Sequence, residues 1–248
     1  MHEKVVIIPT YNEKENIEKI IRVILGSEGD FDVLIIDDNS PDGTAPIVKK
    51  LIEEFPDRLN IVERKGKLGL GTAYIAGFKW SLDHNFNYIF EMDADFSHPP
   101  HELINLYNAC SQGGYDMAIG SRYISGVNVV NWSIGRVLMS YYGSAYVRIV
   151  TGMKIMDTTA GFKCYTRKVL KAIDFDKIKM KGYGFQIEMK FTVWKMGFKI
   201  KEVPIIFTDR KEGNSKMSTN IFGEAVWGVI KLKFRSIFNK RSFLKKTE

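Results

Sequence analysis

A chain of 248 residues, 45% hydrophobic and 26% charged, has the composition of an ordinary globular protein and length enough for one α/β core. Cys110 and Cys164 stand far apart with no C-x-x-C spacing, which excludes a disulfide framework and a zinc knuckle and fits a reducing, cytoplasmic compartment. The net charge of +7 equals the basic residues between Ala225 and Thr247, where no acid occurs, so the excess sits in one tail; that argues against a nucleic-acid-coating protein and for a local basic anchor.

The apolar run before Pro9 is too short for a signal peptide, and Val5–Pro9 reads as a first strand apolar on both faces. Ile17, Ile20, Ile21, Ile24 and Leu25 then recur at helical spacing. Val33–Ile36 is a second strand, followed by a helix with Ile47, Val48, Leu51, Ile52 and Phe55 on one face. Asn60–Glu63 is a short third strand, and residues 71–82 a further helix. Tyr88–Met92 is a fourth strand, Glu102–Ser111 a helix and Asp116–Gly120 a fifth strand. Residues 203–207 read as another strand near the end of this body. Doubly apolar strands spaced by amphipathic helices predict an α/β fold with a mostly parallel sheet covered on both faces. Ligands of such sheets bind beyond the carboxyl ends of the strands.

Four polar clusters fall at those ends: 9-PTYNE-13, 37-DDNSPDG-43, 93-DAD-95 and 120-GSRY-123. Asp42 and Thr44 can be no more than caps of the following helix. Asp93 and Asp95 pose a sharper question, because like charges so close raise each other's pKa unless something positive intervenes. A metal, a basic side chain or solvent could serve. The glycines of 65-KGKLGLGTA-73 suit a backbone that approaches phosphate, but they follow the third strand, whereas a dinucleotide fingerprint follows the first. An EF-hand is excluded, since the sixth position from Asp93 is His98 and the twelfth Ile104. His98 and His101, stiffened by Pro99 and Pro100, are expected to shape the loop and start a helix.

In order along the chain, PTYNE, DDNSPDG, KLGLGTA, DADFSHPP and GSRY resemble the family 2 (GT-A) glycosyltransferases, and more narrowly the polyprenol (dolichyl) monophosphate mannosyltransferases. The resemblance runs from about Val5 to Lys216 and implies a GT-A, Rossmann-like domain over residues 1–218. It implies a nucleotide-sugar donor such as GDP-mannose, Mg²⁺ or Mn²⁺, and a polyprenyl phosphate acceptor. The donor would meet Pro9, Tyr11, Glu13, Asp38, Lys67, Gly69, Asp93, Ala94 and Asp95, with Arg210 and Lys216 reaching the diphosphate from 209-DRKEGNSKM-217. Asp95 would ligate the metal, with Ser97 standing where relatives can carry a glutamine that touches it. Arg122, Arg136 and Ser140 would grip the acceptor phosphate, the latter two from an interfacial helix over 132–150. Asp93, Asp95, Arg122 and Arg210 would carry catalysis. The segment 157-DTTAGFKCY-165 departs from the family loop at Ala160 and Lys163, so no catalytic role rests on it. Glu188 lies where relatives acting on hydroxyls place a base, in an apolar helical pattern that also permits a structural role. A related transferase using UDP-glucose or a glycan acceptor, and an inactive membrane-recruited partner subunit, are the alternatives.

Residues 219–248 form the last element. Phe222, Val226, Ile230, Phe234 and Ile237 recur every three or four residues, and Lys231, Lys233, Arg235, Lys240, Arg241, Lys245 and Lys246 surround or follow that face. This predicts a basic amphipathic helix lying on a membrane surface, with the protein peripheral on the cytoplasmic face or docked to a separate membrane subunit. Residues 231–248 are expected to be removable without loss of the fold.

Overall fold

The computed structural model describes residues 3–180, 182–209 and 220–238. Four parallel strands form one half of the main sheet: β1 (Lys4–Thr10), β2 (Asp32–Asp37), β3 (Leu59–Glu63) and β4 (Tyr88–Glu91). The other half holds β5 (Met117–Ser121), β7 (Lys163–Thr166) and β8 (Ile200–Pro204), and the spatial order is β3-β2-β1-β4-β7-β5-β8. Side chains alternate across the sheet, so Val5 and Ile7 enter one apolar layer while Val6 and Ile8 enter the other. Helices α1 (Ile17–Leu25), α2 (Thr44–Glu54) and α4 (Leu103–Ser111) cover the second layer. The first is covered by α3 (Leu70–Asp83), α6 (Arg167–Ala172) and α7 (Gly182–Lys195), with α5 (Ile134–Thr151) and α8 (Asn220–Phe238). Gly77 of α3 lies so close to β1 that a Cβ there would stand 2.6 Å from Ile7.

Chain order reverses direction between β1 and β4, so a crevice opens beyond their carboxyl ends. Pro9–Tyr11 and Asp93–Asp95 flank it.

The sequence reading misses β7, which runs antiparallel between β4 and β5. Its Lys163 lies directly across from Glu91, and the two fully buried groups pair at 2.9 Å. A strand that buries a lysine carries no apolar signature of its own. The strand expected over 203–207 is also revised. β8 ends at Pro204, exposed Ile206 breaks the run, and β9 (Phe207–Thr208) pairs with β6 (Val129–Val130) in a separate small sheet.

α8 packs on the body through buried Val229 and Leu232, and Tyr146 donates to the Val226 carbonyl at 3.1 Å. The Lys233 ammonium reaches the Thr151 carbonyl at 2.9 Å. Removal of residues 231–248 would therefore take buried Leu232 from the core, a cost that the single outward stripe read from the sequence does not include. The helix has a second apolar stripe turned outward, with Trp227, Phe234 and Ile237 more than half exposed. α5 carries an outward stripe too, at Ile134, Leu138, Tyr142 and Ile149. Among the described residues no helix is long and apolar enough to cross a membrane.

Candidate active site

The crevice is built first by hydrogen bonds between the ends of β1 and β2. Buried Asp37 accepts from Thr10 Oγ1 at 2.8 Å and from the Ser40 amide and hydroxyl at 2.9 and 2.6 Å. Asp42 accepts from the Thr44 hydroxyl at 2.6 Å and from the Lys14 amide at 3.1 Å, and the Glu13 amide donates to Thr44 Oγ1 at 3.1 Å. Burial raises the Asp42 carboxyl, but these donors outweigh it and hold the group below the usual carboxylate range. Gly43 is the N-cap of α2 and has no side-chain cap; Asp42 also accepts from the Thr44 amide at 3.0 Å, so Asp42 and Thr44 tie the Glu13–Lys14 loop to the start of that helix.

Asp38, nearly buried, accepts from Arg64 Nε at 2.5 Å, and the same guanidinium reaches Thr72 on α3 at 2.8 Å. Gly69 begins that helix with φ +102°, backbone that a side chain rarely tolerates. Lys67, from the same loop, stands 4.8 Å from the Tyr11 ring centroid, so two expected donor residues meet.

At the end of β4 the Asp93 side chain is 43% exposed, while Ala94 is buried. Asp95 Oδ1 accepts from the Ser97 amide at 3.1 Å and the Ser97 hydroxyl at 2.6 Å. His98 is a loop-shaping residue. Its Nδ1 accepts from the Asp93 amide at 3.1 Å, which leaves the neutral ring's proton on Nε2, and it stacks on Phe162 at 5.2 Å. It also meets Phe207 edge-on at 5.7 Å. Phe207 in turn lies 5.5 Å from the Arg122 guanidinium and 5.3 Å from Trp132, and so joins the acidic half of the site to the basic half.

Arg122 follows β5 and binds Asp157 through Nε and Nη2, both at 2.7 Å, with Thr159 Oγ1 at 2.8 Å. Burial pushes the Asp157 carboxyl up, but the Arg122 charge and hydrogen bonds win and hold it below the usual range. The pair is braced from behind. Glu202 accepts from the Met156 and Asp157 amides at 2.7 and 2.9 Å. Lys190 donates to the carbonyls of Thr158 and Ala160 at 3.1 and 2.6 Å. Burial, with Lys163 nearby, pushes the Lys190 ammonium well below the usual lysine range. Arg136 lies in the first turn of α5, paired with Asp209 at 2.7 Å and stacked 4.1 Å from the Trp132 ring centroid. Ser140 accepts from the Tyr123 hydroxyl at 2.7 Å.

Sequence reasoning missed Asp157, Glu202, Trp132 and Asp209. Asp157 had one usable signal, since an arginine buried at a strand end requires a counter-ion. Glu188 is placed as a buried structural acid. Its carboxylate accepts from the Lys179 and Met180 amides at 2.8 and 2.7 Å and from Arg235 of α8. Arg210 and Lys216 lie outside the described residues.

An open α/β sheet with an acidic D-x-D pair at its switch point and arginines beyond it defines a glycosyltransferase of the GT-A class. The family model for glycosyl transferase family 2 matches residues 5–174. The chain is 43% identical over 229 residues to a polyprenol monophosphomannose synthase of Mycolicibacterium smegmatis, covering 90% of this chain and 86% of the relative. It is 44% identical over 228 residues to an undecaprenyl-phosphate mannosyltransferase of Micrococcus luteus, covering 90% and 93%. Its fold matches that of glucosyl-3-phosphoglycerate synthase from Mycobacterium tuberculosis, solved with Mn²⁺, UDP-glucose and phosphoglyceric acid. The TM-score there is 0.67 at 18% identity, over 94% of this chain and 80% of that one. The chain belongs to glycosyl transferase family 2.

Proposed function

We propose that the protein transfers mannose from GDP-mannose to the phosphate of a polyprenyl phosphate, with inversion at the anomeric carbon. One observation carries this reading: Arg122 and Arg136 stand over the same indole, joined through Phe207 and His98 to the D-x-D loop. Two guanidiniums side by side suit a doubly charged phosphate acceptor better than an uncharged sugar hydroxyl. The names of the two relatives support the same reading.

The residues fit a hard divalent cation, Mg²⁺ or Mn²⁺. Asp95 offers carboxylate oxygen, and among the described residues no group of three His, Cys, Asp or Glu forms a cage. Such an ion would complete its shell with diphosphate oxygens and water. Asp95 would hold it, and the Ser97 hydroxyl, already bonded to Asp95, would orient that carboxylate. When bound, the ion supplies charge neutralisation at the leaving diphosphate.

This chain's own residues do the rest. Pro9, Tyr11, Glu13, Asp38, Lys67, Gly69, Asp93 and Ala94 orient the donor, and Arg210 and Lys216 stabilise the leaving group. Arg122, Arg136 and Ser140 aim the acceptor phosphate at the anomeric carbon. A phosphate monoester, with a second pKa of about 6, is already ionised at neutral pH and attacks without a base. The engagement of Glu188 by two amides and Arg235 agrees with that. The outward apolar stripes of α5 and α8 support a peripheral position on a membrane that holds the lipid tail, and a nucleotide-sugar donor suits its cytoplasmic face.

The test is a pair of variants assayed with a short prenyl phosphate. Arg136→Ala should raise the acceptor KM and spare the donor KM, whereas Arg210→Ala should slow transfer. An Arg136→Ala enzyme with altered donor binding and unchanged acceptor kinetics overturns the assignment.

A further inference from the structure

The acceptor reading uses Trp132 only as the ring that both arginines face and gives it no role of its own. The Arg136 guanidinium lies 4.1 Å from its ring centroid and that of Arg122 lies 5.4 Å away. The ring is held in place by the small parallel sheet, in which Val129 pairs with Phe207, and by the edge of Phe207 itself. Ser133 then caps α5 by accepting from the Arg136 amide, so Trp132 and Arg136 are four residues apart across the start of the helix.

Three features of this arrangement are unfavourable for a purely structural cluster. Two like charges gather on one ring. A positive side chain sits in the first turn of a helix, where the dipole favours an anion. The Trp132 Nε1 hydrogen is buried and, among the described residues, finds no acceptor. A phenylalanine would avoid that last cost, but indole is the strongest partner for a cation over its face. Each guanidinium also has its own carboxylate, Asp157 for Arg122 and Asp209 for Arg136. Among the described residues, the Arg136 guanidinium donates to a protein group only through Nη1, to Asp209.

We infer that Trp132 is a positioning residue for the phosphate acceptor: its indole holds the Arg122 and Arg136 guanidinium groups, the first already braced by Asp157, at the spacing and orientation that a phosphate monoester requires. This rests on the acceptor reading above. Asp209 fixes one edge of Arg136 and the indole fixes its plane, which leaves the other edge for phosphate oxygen.

The experiment uses the full chain, GDP-mannose and a short prenyl phosphate, with both KM values, kcat and the melting temperature measured for each variant. Trp132→Leu should raise the acceptor KM about tenfold and leave the donor KM within about twofold, since two cation–ring contacts are lost. Trp132→Phe should stay within about threefold of the parent. A series of fluorinated tryptophans at position 132, which drain charge from the ring at nearly constant shape, should raise the acceptor KM stepwise; it serves even if the leucine variant does not fold. A flat fluorination series, or equal rises in both KM values, overturns the inference while an Arg136→Ala effect leaves the acceptor reading standing. If Arg136→Ala also spares the acceptor KM, both fall together.

Discussion

Glu188→Gln separates a structural acid from a catalytic base. The carboxylate is fully buried and accepts from the amides of Lys179 and Met180 at 2.8 and 2.7 Å on one oxygen and from Arg235 on the other. A glutamine can keep one set of bonds with its carbonyl oxygen, but its amide group then turns donors toward the donors of the other set. Loss of a charge-assisted bond at a buried site costs about 1.5–3 kcal/mol. Arg235 is 31% exposed, so solvent recovers part of its side and a total of about 2–3 kcal/mol is expected. For a chain of this length each kcal/mol lowers the melting temperature by about 2–4 °C. Glu188→Gln should therefore melt about 4–12 °C lower by calorimetry, with kcat at 20 °C within about threefold of the parent. A hundredfold loss of kcat with an unchanged melting temperature would refute the reasoning and return Glu188 to the role of base.

Asp95→Ala should lower transfer roughly 10²–10³-fold without changing the melting temperature, and full activity in EDTA would sink the metal assignment. Asp157→Asn should destabilise by about 3–5 kcal/mol at pH 7, because it removes the counter-charge of buried Arg122. The folded Asp157 pKa is depressed, so the pair stabilises above the unfolded value of about 3.9 and that stabilisation disappears as pH falls through the folded value. The gap between parent and variant in chemical denaturation should accordingly narrow below about pH 4, and a gap independent of pH contradicts the pairing. Replacing exposed Phe234 and Ile237 by serine should weaken sedimentation with anionic liposomes about tenfold or more with the fold intact, given about 1.5–3 kcal/mol for each buried apolar side chain. Unchanged sedimentation at low and moderate salt would remove α8 from the membrane contact.

The doubly wound half of the sheet is legible because Val5–Ile8 and Val33–Ile36 are apolar on both faces and the helix between them, α1, keeps a clean 3.6-residue period. β7 is illegible for the opposite reason: Lys163 is a strand residue only because Glu91 waits across from it, 72 positions earlier in the chain. The buried lysine and glutamate of α7 likewise erase its amphipathic pattern. Within the site, Asp93, Asp95 and Arg122 are readable from their places at strand ends, whereas their partners are not. Asp157 and Asp209 reach the arginines, and Glu202 holds the Asp157 amide, from segments distant in the chain that only the assembled sheets bring together. In α8 the sequence shows the stripe from Phe222 to Ile237, but the contacts with the core are made by Val229 and Leu232, which lie off that stripe.

Transfer of radiolabelled mannose from GDP-mannose into the organic phase tests the central claim most directly. With a prenyl phosphate and Mg²⁺ or Mn²⁺ present, the label should move to the lipid as a mannosyl phosphate of inverted anomeric configuration, and EDTA or omission of the prenyl phosphate should abolish the transfer. Label that stays in water with every prenyl phosphate, while a sugar hydroxyl acceptor or UDP-glucose supports turnover, would contradict the account.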